Sequence, residues 1–427
     1  MLLTTLGLLI ALLALAIPVA ASLGALALLL DWLYSPMPLS LAVGEIAWSA
    51  GKDFLLVSIP LFVLLGEILL RAGVAERMYG AMVKWLSWLP GGLMHSNIGA
   101  CALFAATSGS SVATAATVGT VALPLVRKHG YNERLFLGTL AAGGTLGILI
   151  PPSINLIIYA VLTDTSIPQL YLAGVIPGLL LAGLFMALVV IVCVVLPRWG
   201  GVRVEETWAA RIGALVHLVP PLMIFLLVVG SIYAGWATAT EAAALGVVGA
   251  LGLAAAFGRL TRAMLVEAFE NTIRTTSMIM LIILAAYVLN FVISAIGLTA
   301  LLTGFIEGLG WSKWQMLVAV IVFYLILGCF METLSMMITT IPIVAPVMVA
   351  LGFDPVWLGI VIVILIEMAL ITPPVGLNLY VVQSLRRSGT LNDVIAGSLP
   401  FVGIMMVMLA LLALIPDIAL WLPRAVG

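Results

Sequence analysis

Ser108-Gly-Ser-Ser111, then Pro124, Gly130 and Gly143-Gly-Thr-Leu-Gly-Ile-Leu-Ile-Pro-Pro-Ser153, form an ordered series that the chain repeats farther on. The second series runs from Met331-Glu-Thr-Leu-Ser335 through Pro346 and Gly352 to Ala369-Leu-Ile-Thr-Pro-Pro-Val375. Pro346, Gly352, Pro373 and Pro374 each follow Pro124, Gly130, Pro151 and Pro152 by 222 positions. Ala173-Gly174-x-x-Pro177 is answered by Ala396-Gly397-x-x-Pro400, and Gly73 and Gly80 by Gly297 and Gly304. Such a series marks an internal repeat of about 105 residues, near 73–177 and 297–400.

The material between these landmarks is apolar. The 427 residues are 64% hydrophobic and 8% charged, with a mean hydropathy of +1.30. A soluble globular chain is not made that way, and runs of about 20 apolar residues recur along the length. The runs are continuous rather than alternating, which excludes a β-barrel and leaves an all-α polytopic membrane protein. The bilayer is therefore its first partner; the net charge of −1 carries no message about nucleic acid, and none is expected. Cys101, Cys193 and Cys329 are odd in number and lie in apolar stretches, so no disulfide framework is implied. The first segment, Leu2 to about Leu30, is too long for a cleaved signal and begins without Lys or Arg, so a retained spanning helix is expected.

Spanning runs fall at about 2–30, 54–72, 134–163, 170–196, 212–234, 238–257, 272–295, 355–386 and 393–421. The apolar segments 93–126 and 312–349 are each interrupted by small polar residues, so each is either two spans or a re-entrant hairpin. Basic residues decide between these. They cluster at Arg71, Arg77 and Lys84; Arg127, Lys128 and Arg134; Arg198, Arg203 and Arg211; Arg259, Arg262 and Arg274; and Arg386 and Arg387. The connections near 31–53, 163–170, 234–238 and 350–355 hold only Lys52. With nine spans, two non-crossing hairpins and a cytoplasmic N-terminus, every cluster falls inside. The two halves then have opposite orientation, an inverted-topology repeat of the kind found in secondary transporters. Val74–Trp88 and Gly297–Gly310 precede the hairpins. In the first, Val74, Met78, Met82 and Leu86 share one helical face, which predicts an interfacial arm, with a cytoplasmic loop helix as the alternative. The expected organisation is scaffold helices and first arm over 1–92, hairpin, broken helix and following span over 93–196, scaffold helices and second arm over 197–311, and the second hairpin, broken helix and last span over 312–427.

Chemistry should gather where the helices break. Pro151-Pro152 and Pro373-Pro374 remove backbone donors, and Gly143, Gly144 and Gly147 weaken the helix before the first pair. Broken backbone survives at membrane depth only where protein buries it or a polar cavity receives it. Freed carbonyls beside Ser108, Ser110 and Ser111 make an oxygen cage suited to a small hard cation, while helix N-termini at a tip suit an anion. Met331–Ser335 facing Ala369–Pro374 forms the mirror pair. The alternative is that the prolines only kink helices for packing; two matched pairs weigh against it. Asn155 and Asn378, shortly past the breaks, and Ser111 and Ser335, on the tips, are candidates for substrate polar groups, with a structural role as the alternative for the asparagines. Glu332 and Glu367 are acids in apolar surroundings and so functional candidates; for Glu367, pairing with a neighbouring helix is the alternative. Glu241 reads as an N-terminal partner of its helix.

Enzyme readings find little support. His95, His129 and His217 lack metalloprotease spacing. Ala106 stands where a Gly-x-Ser-x-Gly elbow around Ser108 needs glycine, and no Gly-x-x-x-x-Gly-Lys loop is present. An intramembrane hydrolase would need a base that the sequence does not supply.

At these residues the chain resembles a known family. The run Ser-Gly-Ser-Ser-Val-Ala-Thr-Ala-Ala-Thr-Val-Gly at 108–119 is similar to the large membrane subunit, DctM-like, of tripartite ATP-independent periplasmic (TRAP) transporters. So are Gly-Ile-Leu-Ile-Pro-Pro-Ser at 147–153, Thr-Ala-Thr-Glu-Ala-Ala-Ala at 238–244 and Thr-Pro-Pro-Val-Gly-Leu-Asn at 372–378. Ala239 departs from the proline expected there, at a helix entry. The resemblance implies a sodium-driven importer of an organic acid anion, of C4-dicarboxylate or sialic acid type, in the bacterial inner membrane. It implies a periplasmic binding protein that delivers substrate, a small four-helix membrane subunit, and an elevator mechanism. Carried over by position, Na+ site 1 comprises Ser108, Ser110, Gly147, Ile150 and Pro152. Site 2 comprises Glu332, Thr333, Ala369, Thr372 and Pro374. The alternative is a stand-alone sodium symporter for divalent anions with a similar fold.

Overall fold

A computed structural model describes residues 1–427 except 16, 37, 203–205, 299, 302, 303, 305–307, 309, 329, 330, 375, 387, 388 and 427, and except the side chains of 2, 3, 6, 13, 14, 106–108 and 127. The described residues are all-α apart from one isolated bridge between Tyr131 and Gly200. The first half contains α1 (Leu2–Ala14), α2 (Val19–Tyr34), α3 (Val43–Lys52), α4 (Ser58–Arg71), α5 (Val74–Leu86), α6 (Leu93–Ser108), α7 (Ser111–His129), α8 (Glu133–Leu149), α9 (Ile154–Thr163) and α10 (Ile167–Val195). The second contains α11 (Trp208–Ala214), α12 (Val219–Tyr233), α13 (Ala239–Ala256), α14 (Arg262–Ala295), α15 (Lys313–Leu327), α16 (Thr333–Ala350), α17 (Pro355–Ala369), α18 (Leu377–Ser384), α19 (Leu391–Leu414) and α20 (Asp417–Val426).

Among the described residues, six helical stretches are long and apolar enough to cross a membrane: Phe54–Arg71, Ile167–Val195, Ala239–Ala256, Arg262–Ala295, Thr333–Ala350 and Leu391–Leu414. Two more form bent pairs: α8 with α9, at 44°, and Trp208–His217 with α12, at 43°. Both bends fall at Pro-Pro pairs, Pro151-Pro152 and Pro220-Pro221, where missing N–H groups end the helical ladder. The same chemistry corrects two expected spans. The segment 2–30 is two helices, with Pro18 as the N-cap of α2. Tyr34 donates to the Thr4 hydroxyl (3.0 Å), so α1 folds back along α2. The last span ends at Leu414, and α20 restarts after Pro416. α5 forms over the stretch expected as the first arm and is amphipathic, burying Val74 and Met78 while Glu76 and Arg77 stay exposed. Much of 297–311 lies outside the described residues. Thr238 and Glu241 form a reciprocal capping box at the start of α13, as the local sequence predicts.

Contacts between connections fit the inverted reading. Arg134 pairs with Asp393 (3.0 Å) and Arg386 with Glu133 (2.8 Å). Trp85 donates to the Arg211 carbonyl (2.9 Å), and Arg77 lies 3.6 Å over the Phe257 ring. Basic-rich connections thus meet one another. Basic-poor ones do the same: Thr240 donates to the Phe54 carbonyl (3.1 Å), and Tyr159 to the Pro355 carbonyl (2.7 Å). Lys313, which donates to the Gly352 carbonyl (3.3 Å), also belongs to that second side.

Helix α8 is the centre of the packing, touched by α6, α7, α10, α17, α18 and α19. Small residues permit this, because apolar helices in lipid associate through close backbone approach. A methyl group on Gly138 would overlap the Gly397 carbonyl, and one on Gly397 would overlap the Arg134 carbonyl. A methyl on Gly174 would lie 2.7 Å from the Leu149 carbonyl oxygen. The repeated Ala-Gly-x-x-Pro motif therefore brings α10 and α19 onto opposite ends of α8. A second group, α2, α4, α13 and α14, packs together beside this one. The hairpins exchange partners between repeats: α7 lies against α18, and α16 against α9.

Candidate functional site

The first tip is built by two local signals. Gly109 ends α6 in the left-handed region (φ 60°), a conformation glycine adopts without penalty. Ser110 then caps α7, its hydroxyl accepting from the Ala113 amide (3.4 Å). The tip presses on the first break. A methyl on Gly147 would lie 2.8 Å from the Ser110 carbonyl oxygen and 2.9 Å from the Ser111 Cα. A methyl on Gly109 would lie 3.1 Å from the Pro152 carbonyl oxygen. Ile150 is the C-cap of α8, its amide bound to the Leu146 carbonyl (3.2 Å). The carbonyls of Gly147 and Ile148 would take donors from positions 151 and 152, and both are proline, so no helical N–H reaches them. Ser108, Ser110, Gly147, Ile150 and Pro152 are thus neighbours; the Ser108 side chain lies outside the described residues.

The second pair is built differently. Gly328 ends α15 against Ala369, so close that a methyl would overlap the alanine side chain. Glu332 is the N-cap of α16, accepting from the amides of Leu334 (3.2 Å) and Ser335 (2.7 Å) and from the Ser335 hydroxyl. Its carboxylate and the Ser335 side chain are engaged with each other. At the break, Thr372 N–H binds the Ala369 carbonyl (3.3 Å) and Asn378 N–H binds the Leu370 carbonyl (3.1 Å). The Thr372 hydroxyl donates to the Met368 carbonyl (2.7 Å), and Pro374 is exposed. The second break therefore gives N–H donors to the Ala369 and Leu370 carbonyls, whereas at the first break prolines stand where the helical donors to Gly147 and Ile148 would be.

A cavity of about 160 Å³ joins the two repeats. Gly109, Ser110 and Asn155 line it from the first, Thr333 and Leu334 from the second, and Glu67 and Thr275 from α4 and α14. By the space one water needs, it has room for on the order of ten water-sized groups, the scale of a small organic acid. Ser111, Ser335 and Asn378 are not among its lining residues. Ser111 donates to Glu367 (2.8 Å), a bond between repeats. Glu67, bound to Arg71 and Asn271, is a lining group that sequence reasoning missed. Its signal was an acid within the apolar run 58–70.

The two asparagines occupy matching repeat positions but different environments. Asn155 is buried, and among the described residues its Nδ2 has no hydrogen-bond partner. Asn378 donates from Nδ2 to the Ala141 carbonyl (3.1 Å). Asn155→Leu should therefore leave thermal stability unchanged or raise it, since it removes an unpaired buried group, while substrate affinity falls. Asn378→Leu should cost about 0.5–1.5 kcal/mol of stability, the net worth of one hydrogen bond, because the Ala141 carbonyl loses the asparagine but keeps its donor within α8. Unfolding curves of the two purified variants, with uptake measured beside them, check this contrast.

A multi-span membrane protein with inverted repeats around a shared cavity has the architecture of a secondary transporter, and comparison with known proteins gives the family. The family model described as tripartite ATP-independent periplasmic transporter, DctM component, matches residues 6–418. The C4-dicarboxylate TRAP transporter large permease protein DctM of Pseudomonas aeruginosa is 36% identical over 387 residues, covering 89% of this chain and 88% of its own. Its counterpart in Rhodobacter capsulatus is 34% identical, covering 99% and 98%. The sialic acid TRAP transporter large permease protein SiaM of Vibrio cholerae is 31% identical, covering 87% of each chain. The crystal structure of the Alcanivorax borkumensis YdaH transporter, described as having an unusual topology, aligns over 99% of both chains with a TM-score of 0.59 at 17% identity, a likeness of fold alone. This chain belongs to the DctM family of TRAP transporter large membrane subunits.

Proposed function

We propose that this chain is the translocating subunit of a sodium-driven importer for an organic acid anion in the bacterial inner membrane. A C4-dicarboxylate is the first substrate to test, because relatives named for it stand at 36% and 34% identity; a sialic acid is the second. A periplasmic binding protein delivers the substrate, and a small four-helix membrane subunit stands beside the chain. The observation that carries the proposal is the cavity where Ser110 and Asn155 of one repeat meet Thr333 of the other.

The group around α8, with both hairpins, forms the transport domain, and α2, α4, α13 and α14 form the scaffold. The cavity lies on their boundary, lined from both sides, which suits an elevator movement of one against the other. Na+ occupies two sites at the tip and break pairs. Neutral hydroxyl and carbonyl oxygens, including the carbonyls of Gly147 and Ile148 that have no helical N–H donor, match the ligand preference of a small hard cation. Among the described residues no basic side chain lines the cavity, and the Glu332 carboxylate already caps α16, so a bound anion relies on the α7 N-terminus, on hydroxyls and on the cations.

The test is uptake of a C4-dicarboxylate into vesicles carrying the complete three-component transporter. Ser110→Ala and Thr333→Ala should each raise the sodium needed for half-maximal uptake about tenfold, the loss of one hydroxyl ligand. Unchanged sodium activation in both variants removes the site assignment.

A further inference from the structure

Glu367 in α17 is 1% exposed, and both its carboxylate oxygens lie on the Ser111 hydroxyl, at 2.9 and 2.8 Å. Among the described residues no basic side chain forms an ion pair with it. An acid at membrane depth without a basic partner is costly. Its compensation comes from the Ser111 hydroxyl. The two residues, 256 positions apart, adjoin both proposed cation sites. Ser111 follows Ser110 on the first tip, whose backbone fills the space opposite Gly147. Glu367 lies half a turn before Ala369, on the helix that ends at the second break.

We infer that Glu367 is a positioning residue that couples the two cation sites through Ser111, so that filling one raises the affinity of the other. An ion at the first site fixes the tip on Gly147–Pro152. The fixed tip holds Ser111 on Glu367, and Glu367 holds the end of α17, which carries Ala369 and leads into Thr372. Thermodynamic linkage makes the effect reciprocal. The inference rests on the sodium sites proposed above and adds the connection between them.

The test uses the purified full chain, titrated with NaCl against KCl at constant ionic strength, and reads tryptophan fluorescence and unfolding temperature. The wild type should respond to sodium with a Hill coefficient above unity. Ser111→Ala and Glu367→Leu should bring the coefficient to unity and raise half-saturating sodium about fivefold. Glu367→Gln, whose amide oxygen still accepts from Ser111, and Ser111→Thr, which keeps a hydroxyl, should retain cooperativity. A purely structural role would lower the unfolding temperature in KCl and leave the Hill coefficient unchanged; that outcome overturns the coupling. So does a wild-type coefficient of unity. A wild type without any sodium-specific response overturns the sodium sites themselves, a failure distinct from loss of coupling alone.

Discussion

Gly397→Val should prevent the protein from accumulating in the membrane or lower its unfolding temperature more than any other single change considered. A Cβ at this position falls inside the Arg134 carbonyl, and backbone cannot give way as a side-chain end can. α19 would have to move off α8, breaking the Gly138–Gly397 approach and the neighbouring Arg134–Asp393 pair. Overpacking a well-filled interior costs about 1–3 kcal/mol, and here the obstacle is main chain on both sides. Gly403→Ala is the control, since on the same helix nothing lies within 4 Å of the added methyl. Thermal unfolding of the purified variants measures the difference; equal temperatures for the two would show that the close approach is not needed.

Gly147→Val should reduce uptake at least about tenfold at saturating sodium, with a smaller effect on stability. The added group meets the Ser110 carbonyl and the Ser111 Cα, so the hairpin tip is pushed off the break. Displacing the tip by even a fraction of the overpacking cost of about 1–3 kcal/mol depletes the arrangement that closes the cavity. Gly183→Ala, on α10 with no atom within 4 Å, should transport normally. Vesicle uptake at fixed protein amount compares them, and normal transport by Gly147→Val would detach the tip from function.

The parts of this fold that were legible in the sequence are those written in local backbone chemistry. Ser108-Gly-Ser-Ser111 reads as a helix end, a left-handed glycine and a serine cap, and the chain folds that way. The Pro-Pro breaks and the Thr238–Glu241 capping box follow from missing donors and from cap spacing in the same manner. Pro18 was equally visible, but an apolar run of that length hides a turn when hydropathy alone is followed. What the sequence could not tell is what depends on distant neighbours. Asn155 and Asn378 are equivalent by repeat position, yet one lines the cavity and the other holds the Ala141 carbonyl. Glu332 stood out as an acid on a tip, and its carboxylate caps its own helix. Glu67 reaches the cavity only because α4 lies across from the hairpins. The carbonyls of the two breaks differ because Asn378 N–H happens to reach Leu370. No spacing rule encodes that.

The seam between α8 and α19 also sets a timetable for synthesis. Arg134 and Asp393 are separated by 259 positions, so at roughly 5–20 residues per second the ribosome needs tens of seconds to deliver the partner. During that interval α8 sits among lipids with its glycine face open, and the first hairpin lacks α18 beneath it. A chain released early would therefore be a substrate for membrane quality control rather than a half-active carrier, and the two halves can be judged correct only together.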